Sequence, residues 1–162
     1  MISTCPKIMQ RIAVFPGSFD PLTLGHVDII NRGLSVFDTI IIGIGNNAEK
    51  KYMFPLGERE EWIKKTFENE ARITVKSYHG LTVDFCKSVN AGFILRGLRN
   101  AADFEFEKAI AHMNGAISEK IETVFVLSDL KFGALSSSII RDIIRNGGNP
   151  AEFLPVSVKF QH

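Results

Sequence analysis

Residues 15–26 read FPGSFDPLTLGH, directly behind the apolar run Ile12-Ala13-Val14. The chain leaves a first strand through a glycine, a hydroxyl, an aspartate and two prolines, and enters a helix on a Gly-His pair. Pro-Gly and Asp-Pro are ordinary turn signals, so the stretch decides the fold only together with the residues behind it. Val27, Ile30, Leu34 and Phe37 recur at helical spacing, and Thr39-Ile40-Ile41-Ile42-Gly43-Ile44 is then a run without polar alternation, as in a strand buried on both faces.

The same alternation continues. A helix behind Pro55 should bury Trp62, Ile63, Thr66 and Phe67 on one face and leave Glu58, Arg59, Glu60, Lys64 and Lys65 to water. A strand near Arg72–Lys76 and a short helix near Val83–Asn90 precede the buried strand Phe93-Ile94-Leu95, expected to stop at Arg96. The longest helix is expected over Ala102–Ser118 with Phe106, Ile110, Met113 and Ile117 inward, and Glu122–Leu127 is a fifth strand. Ser136, Ser137 and Ser138 offer caps for a last helix with Ile139, Ile140, Ile143 and Ile144 inside, ended by Asn146-Gly147-Gly148. Five alternations predict an α/β, Rossmann-like, doubly wound sheet of five parallel strands with helices on both faces and right-handed crossovers.

The 162 residues suit one domain, and 45% apolar with 23% charged residues excludes a disordered, collagenous or coiled-coil chain. Nineteen basic against 18 acidic groups leave a formal charge of +1, which gives no support for a nucleic-acid partner. Cys5 and Cys86 form no C-x-x-C, so neither a disulfide framework nor a zinc site is expected. No segment reaches membrane-spanning length, and the expected compartment is the cytoplasm. Residues 1–10 read as a flexible extension, with Met9 as an alternative start, ahead of one domain over 11–162.

In a doubly wound sheet, ligands bind beyond the carboxyl ends of the strands where strand order reverses. Four unusual stretches fall at such ends: 15–26, 46–54, 96–103 and 128–138. Neither G-x-x-x-x-G-K-[ST] nor a G-x-G-x-x-G behind the first strand is present. The first loop offers instead Gly17 for close backbone approach, the Ser18 hydroxyl and His26 at a helix start. A histidine there is disfavoured as a cation but can donate one hydrogen bond to a phosphate oxygen while neutral. Taken alone, His26 reads first as a satisfied polar residue near a helix cap, Arg96 and Arg99 as surface arginines paired with Asp103 or Glu105, Lys50 as a solvated loop lysine and Glu107 as an ordinary exposed helix glutamate, while Thr82 reads equally as a helix cap. His79 and His112 are read as structural.

The ordered blocks PGSFDPLTLGHVDII, NNAEKKYMF, ILRGLRNAADFEFE, AHMN and LSSSIIR, spanning Arg11 to Pro155, resemble the bacterial phosphopantetheine adenylyltransferases, and FPGSFDPLTLGH carries the T/H-x-G-H signature of the nucleotidyltransferase superfamily. The resemblance implies ATP and 4'-phosphopantetheine as substrates, with dephospho-coenzyme A and pyrophosphate as products. It implies His26, Lys50 and Arg99 as catalytic residues, and Ser18, Lys50, Thr82 and Arg96 as contacts to the acceptor. On the ATP side it implies Ser18, Phe19, His26, Gly97, Leu98, Arg99, Glu107, Phe132, Gly133, Ala134, Leu135, Ser136, Ser137 and Ser138. It further implies magnesium carried with ATP and without protein ligands, a homohexamer, and feedback by coenzyme A. Two departures stand out: Leu24 replaces a common asparagine, and Phe132-Gly133-Ala134-Leu135 replaces an aromatic-Ser-Phe-Ile segment. Another small-molecule nucleotidyltransferase of the superfamily, or a nucleotide-binding module without turnover, is the alternative reading.

Overall fold

The computed structural model describes residues 10–160. The expectation for residues 1–10, with Cys5 and Met9, lies outside them except for Gln10, whose amide donates to Thr39 Oγ1 at 3.0 Å. Five strands, β1 (Ile12–Gly17), β2 (Thr39–Gly45), β3 (Ile73–Tyr78), β4 (Phe93–Leu98) and β5 (Glu122–Leu127), form one all-parallel sheet in the order β3-β2-β1-β4-β5. Between and after them run α1 (Leu24–Gly33), α2 (Leu56–Thr66), α3 (Thr82–Ser88), α4 (Ala101–Ile117) and α5 (Ser137–Arg145).

The pleat sorts each strand's side chains to two faces. Ala13 and Phe15 of β1, Ile40, Ile42 and Ile44 of β2 and Leu95 of β4 join Ile29, Ile30, Trp62, Ile63 and Ile140 in the larger core, under α1, α2 and α5. Val14, Ile41 and Ile94 point the other way, into a smaller core with Val83, Phe85 and Cys86 of α3. Burial on both faces is why these strands read as unbroken apolar runs.

Strand order reverses between β1 and β4, which pair only through Ala13–Phe93 and Val14–Ile94, whereas β1 pairs with β2 over six positions. The carboxyl ends of β1 and β4 therefore leave their main-chain edges to other partners, and the Arg96 side chain enters there to donate from Nη1 to Pro16 O at 2.8 Å. β4 runs on to Leu98 instead of stopping at Arg96, because its pairing with β5 continues through Leu98–Leu127.

Three expectations about helix faces fail. Arg59, expected in water, is 1% exposed; its guanidinium finds main-chain carbonyls inside, so a cation is tolerated there. On α4 the expected inner row is uncovered, with Phe106 67%, Ile110 38%, Met113 63% and Ile117 47% exposed. The inward row is instead Asp103, Glu107, Ala111 and Asn114, which meets the crevice and its arginines. Ile139 is also exposed, since α5 buries Ile140 against the sheet and Ile139 lies a hundred degrees around the helix.

Candidate active site

The loop behind β1 is built to hold one histidine. Thr23, itself buried, is the N-cap of α1, and its side chain accepts from the His26 backbone N–H. The His26 ring returns the bond: Nδ1 accepts from the Thr23 backbone N–H at 3.0 Å. An amide N–H can only donate, so Nδ1 carries the lone pair and the ring proton sits on Nε2. Phe15 and Phe19 meet the ring edge-on, at centroid distances of 6.3 and 5.2 Å. Burial, with the charges of Arg96 and then Arg99, pushes the His26 pKa down to about 4. The imidazole is neutral at physiological pH and offers one N–H to the cavity it lines.

Phe19 adopts φ +47°, a left-handed conformation that side chains rarely take. Its ring folds back over Gly17, where a Cβ would stand 2.9 Å from Phe19 Cζ, so the first loop needs its glycine. Ser18 lines the crevice.

The crevice contains two cavities. The first, of about 310 Å³, is lined by the first loop from Phe15 to Phe19, by Gly25 and His26, by Arg96, Gly97, Arg99, Asp103 and Glu107, and by Phe132, Leu135, Ser136 and Ser137. The second, of about 230 Å³, is lined by Tyr78, Thr82, Ile94, Ile110, Ala111, Asn114 and Thr123. Pro16, Gly17, Arg96 and Glu107 wall both, so the two cavities adjoin at one ion pair.

That ion pair is two-pronged: Arg96 Nε donates to Glu107 Oε2 at 2.7 Å, and Nη2 donates to Oε1. Glu107 is 8% exposed, not the solvated glutamate its sequence context suggests. Arg99 is held in the same manner by Asp103, with Nε to Oδ2 at 2.8 Å and Nη2 to Oδ1 at 2.9 Å, which holds the Asp103 carboxyl below its ordinary range. Glu105 pairs with Lys108 instead. Arg99 Nη1 also donates to Leu135 O at 3.1 Å, which ties the loop behind β4 to the loop behind β5. Two guanidiniums fixed beside a neutral histidine N–H suit an anionic, phosphate-bearing ligand.

Ser136 caps α5 by accepting from Ile139 N, and Ser137 Oγ donates to Pro21 O at 2.8 Å. The free amides at the start of α5 therefore stand beside the first loop. In the segment that departs from the family pattern, Phe132 and Leu135 side chains pack within 3.8 Å of where a Cβ on Gly25 would lie, and the contact to Arg99 uses a main-chain oxygen. Gly133 and Ala134 do not line either cavity, nor do Leu98 and Ser138.

Lys50 stands apart. The loop 46–54 contributes no wall residue to either cavity, and Lys50 is exposed with its Nζ 5.8 Å from the Tyr52 ring centroid. Thr82 is the first residue of α3, behind an N-cap at Leu81, and its hydroxyl lies 2.8 Å from Tyr78 Oη. His79 and His112 are not buried. Among the described residues no cluster of three or more His, Cys, Asp and Glu side chains could hold a metal ion.

Sequence reasoning missed Asp20 and Arg59. Buried Asp20 accepts from the Met53 and Phe54 amides, both at 2.9 Å, and Arg59 donates to Phe54 O and Ser18 O at 3.0 and 2.6 Å. No residue type in the sequence signals either role, because these partners are all main-chain groups.

The Cytidylyltransferase-like family model matches residues 14–143. A phosphopantetheine adenylyltransferase of Flavobacterium psychrophilum is 60% identical over 93% of this chain and 99% of its own length, and one of Geobacter metallireducens is 43% identical over 93% and 92%. Among solved structures, a bifunctional NMN adenylyltransferase/ADP ribose pyrophosphatase of Francisella tularensis aligns with TM-score 0.69 at 17% identity, over 90% of this chain and 45% of that one. A Vibrio parahaemolyticus protein assigned as a nicotinate-nucleotide adenylyltransferase aligns with TM-score 0.66 at 19% identity, over 92% and 96%. The last two likenesses show the fold.

Proposed function

The chain belongs to the phosphopantetheine adenylyltransferase family, within the cytidylyltransferase-like nucleotidyltransferases, and from that membership we propose how its crevice works. The protein transfers the adenylyl group of ATP to 4'-phosphopantetheine and yields dephospho-coenzyme A. A phosphate oxygen of the acceptor forms a bond to the α-phosphorus, the bond to the bridging oxygen breaks, and pyrophosphate leaves with its electron pair. The attacking oxygen is already anionic, so the protein supplies position and charge stabilisation without a covalent intermediate.

The observation that carries this reading is the His26 ring: Nδ1 is occupied by the Thr23 amide and the proton is on Nε2, beside two arginines. We assign Nε2–H to a nonbridging oxygen of the α-phosphate, where charge grows in the transition state. Phe19, Gly97, Arg99, Glu107, Phe132, Leu135, Ser136 and Ser137, which line the first cavity, serve the ATP side. Arg96 and Thr82, which line the second cavity, serve the pantetheine side. Ser18 lies between the substrates, and Lys50 reaches in from its loop as a mobile point charge on both phosphates. Magnesium arrives as the ATP complex, shielding phosphate charge and keeping its water ligands.

One nucleotidyltransferase domain over 11–162 performs this work in the cytoplasm; no helix among the described residues is long and apolar enough to cross a membrane. Coenzyme A carries both the pantetheine arm and an adenylate, so the same crevice accommodates it as a feedback inhibitor. The uncovered row on α4 supports self-association, which we assign to a homohexamer.

The test is mass spectrometry of products after incubation with magnesium-ATP and 4'-phosphopantetheine, nicotinate mononucleotide or glycerol 3-phosphate. Dephospho-coenzyme A and pyrophosphate with the first acceptor alone are expected. Reaction with a rival acceptor moves the assignment to another nucleotidyltransferase. Turnover with none, in a folded sample that binds ATP, sinks the enzymatic reading.

A further inference from the structure

Two buried charged residues line neither cavity and yet join the loops that carry the proposed chemistry. Each oxygen of the Asp20 carboxylate accepts one amide, Oδ2 from Met53 and Oδ1 from Phe54. Arg59, one turn into α2, spans the same junction from the other side: Nε donates to Phe54 O and Nη1 to Ser18 O. The guanidinium also lies 4.1 Å from the Tyr52 ring centroid, and Tyr52 Oη accepts from Asn47 N at 2.9 Å and donates to Gly45 O at 3.2 Å. The 46–54 loop is therefore an arch with both feet fixed. One foot is Gly45–Asn47, held through Tyr52; the other is Met53–Phe54, held through Asp20 and Arg59. Ala48–Lys51 form the exposed crown between them. Arg141 of α5 adds a third tie, from Nη1 to Asp20 O at 2.7 Å.

We propose that Asp20 and Arg59 are positioning residues, a clasp that sets where the arch bearing Lys50 stands relative to the Ser18 loop. The inference rests on the role assigned to Lys50 above. A lysine on a short arch can swing its side chain into the crevice while its backbone stays in place. Its effective concentration at the reacting phosphates then depends on the feet of the arch. Arg59 is suited to this because its planar fork engages two carbonyls from two loops at once, which an ammonium cannot do in the same geometry.

The test is a double-mutant cycle between Arg59→Lys and Lys50→Ala, read in kcat with saturating substrates, well below each variant's melting temperature. Each single variant is expected to slow turnover by about tenfold or more. Because Arg59 acts through Lys50, adding Arg59→Lys to Lys50→Ala should cost less than about threefold more. Losses that multiply overturn the clasp and leave the role of Lys50 standing. An unchanged kcat in Lys50→Ala overturns the role of Lys50 and the clasp together, whatever the product assay shows. Trypsin should also cut behind Lys50 or Lys51 faster in Arg59→Lys than in the wild type; equal rates count against the clasp. Asp20→Asn, which keeps one amide acceptor and loses the other, serves where Arg59→Lys does not fold. A measurement without substitution completes the test: in the wild-type protein the Met53 and Phe54 amides should exchange at least about tenfold more slowly than those of Ala48 and Lys51, since Glu49 N and Lys50 N already donate to Asn47, and equal exchange overturns the clasp.

Discussion

At His26 the fold sets the protonation state before any substrate is present. The Thr23 amide occupies Nδ1, and burial with two neighbouring arginines keeps the ring neutral down to about pH 4. His26→Ala should lower kcat by roughly 10²–10³-fold while ATP binding changes little, because the bond strengthens mainly as charge develops; equal losses in both would place the contact in the ground state. Stability should respond as well. The folded pKa is about 4 against an ordinary 6.5, so between these values the unfolded chain binds a proton that the folded chain refuses. This residue's contribution is full above about pH 6.5 and is lost as pH falls toward 4, and urea midpoints should drop less over that window in His26→Ala than in the wild type. Identical pH dependence in the two proteins would show that His26 titrates normally. His26, Arg96 and Arg99 were legible in the sequence because glycine, turn residues and charge flank them in a recognisable order. Asp20 and Arg59 were not, because their partners are main-chain groups, present at every position and marked by no residue type. An arginine among Glu58, Glu60 and Lys64 reads as solvated until the carbonyls it meets are seen.

The elements matter as carriers of these residues, and α1 and β4 show how tightly they are matched. Gly97 of β4 lies under Ile29 of α1: a Cβ there would stand 2.7 Å from Ile29 Cγ1 and 3.0 Å from Cδ1. Ile29 is branched and buried, so it cannot turn aside freely. Gly97→Ala should therefore push α1 away from β4, at roughly 1–3 kcal/mol of stability. Because α1 carries His26 and β4 carries Arg96, kcat should fall as well. Urea denaturation with steady-state kinetics checks both, and a variant of unchanged stability would mean that the two elements separate without cost. Strand and helix order was readable throughout, since strands buried on two faces and amphipathic helices leave different periods. The end of β4 was not, because Arg96 looks like a strand terminus while β5 continues to pair beside it. Periodicity also announced an apolar row on α4 without saying what covers it. The polar row beside it, Asp103, Glu107 and Asn114, reaches the arginines and the cavities and so takes the inner place.

At the scale of the molecule, that choice leaves Phe106, Ile110, Met113 and Ile117 along one side of a helix, next to β5 at the edge of the sheet, where Leu127 is 69% exposed. Scattered exposed apolar residues need no explanation, but a continuous row four side chains long, beside an edge strand, is a surface that water leaves at a gain. Each such side chain contributes roughly 1.5–3 kcal/mol when fully buried. A homo-oligomer can supply the missing cover because every copy presents the same row. Met113 lines neither cavity, so Met113→Glu tests association without altering the crevice wall. A carboxylate placed in an apolar contact without a partner is costly, and the variant should shift to smaller species at micromolar concentration while its far-UV circular dichroism stays that of the wild type. Light scattering after gel filtration measures the shift. Ile110 lines the second cavity from the same helix, with Ala111 and Asn114, so a partner copy seated on α4 would also steady a wall of the cavity proposed for pantetheine. Dissociation should then raise KM for 4'-phosphopantetheine more than KM for ATP. A wild-type protein that is monomeric at that concentration would remove the need for a partner copy, and an unchanged KM in dissociated Met113→Glu would separate assembly from the acceptor cavity.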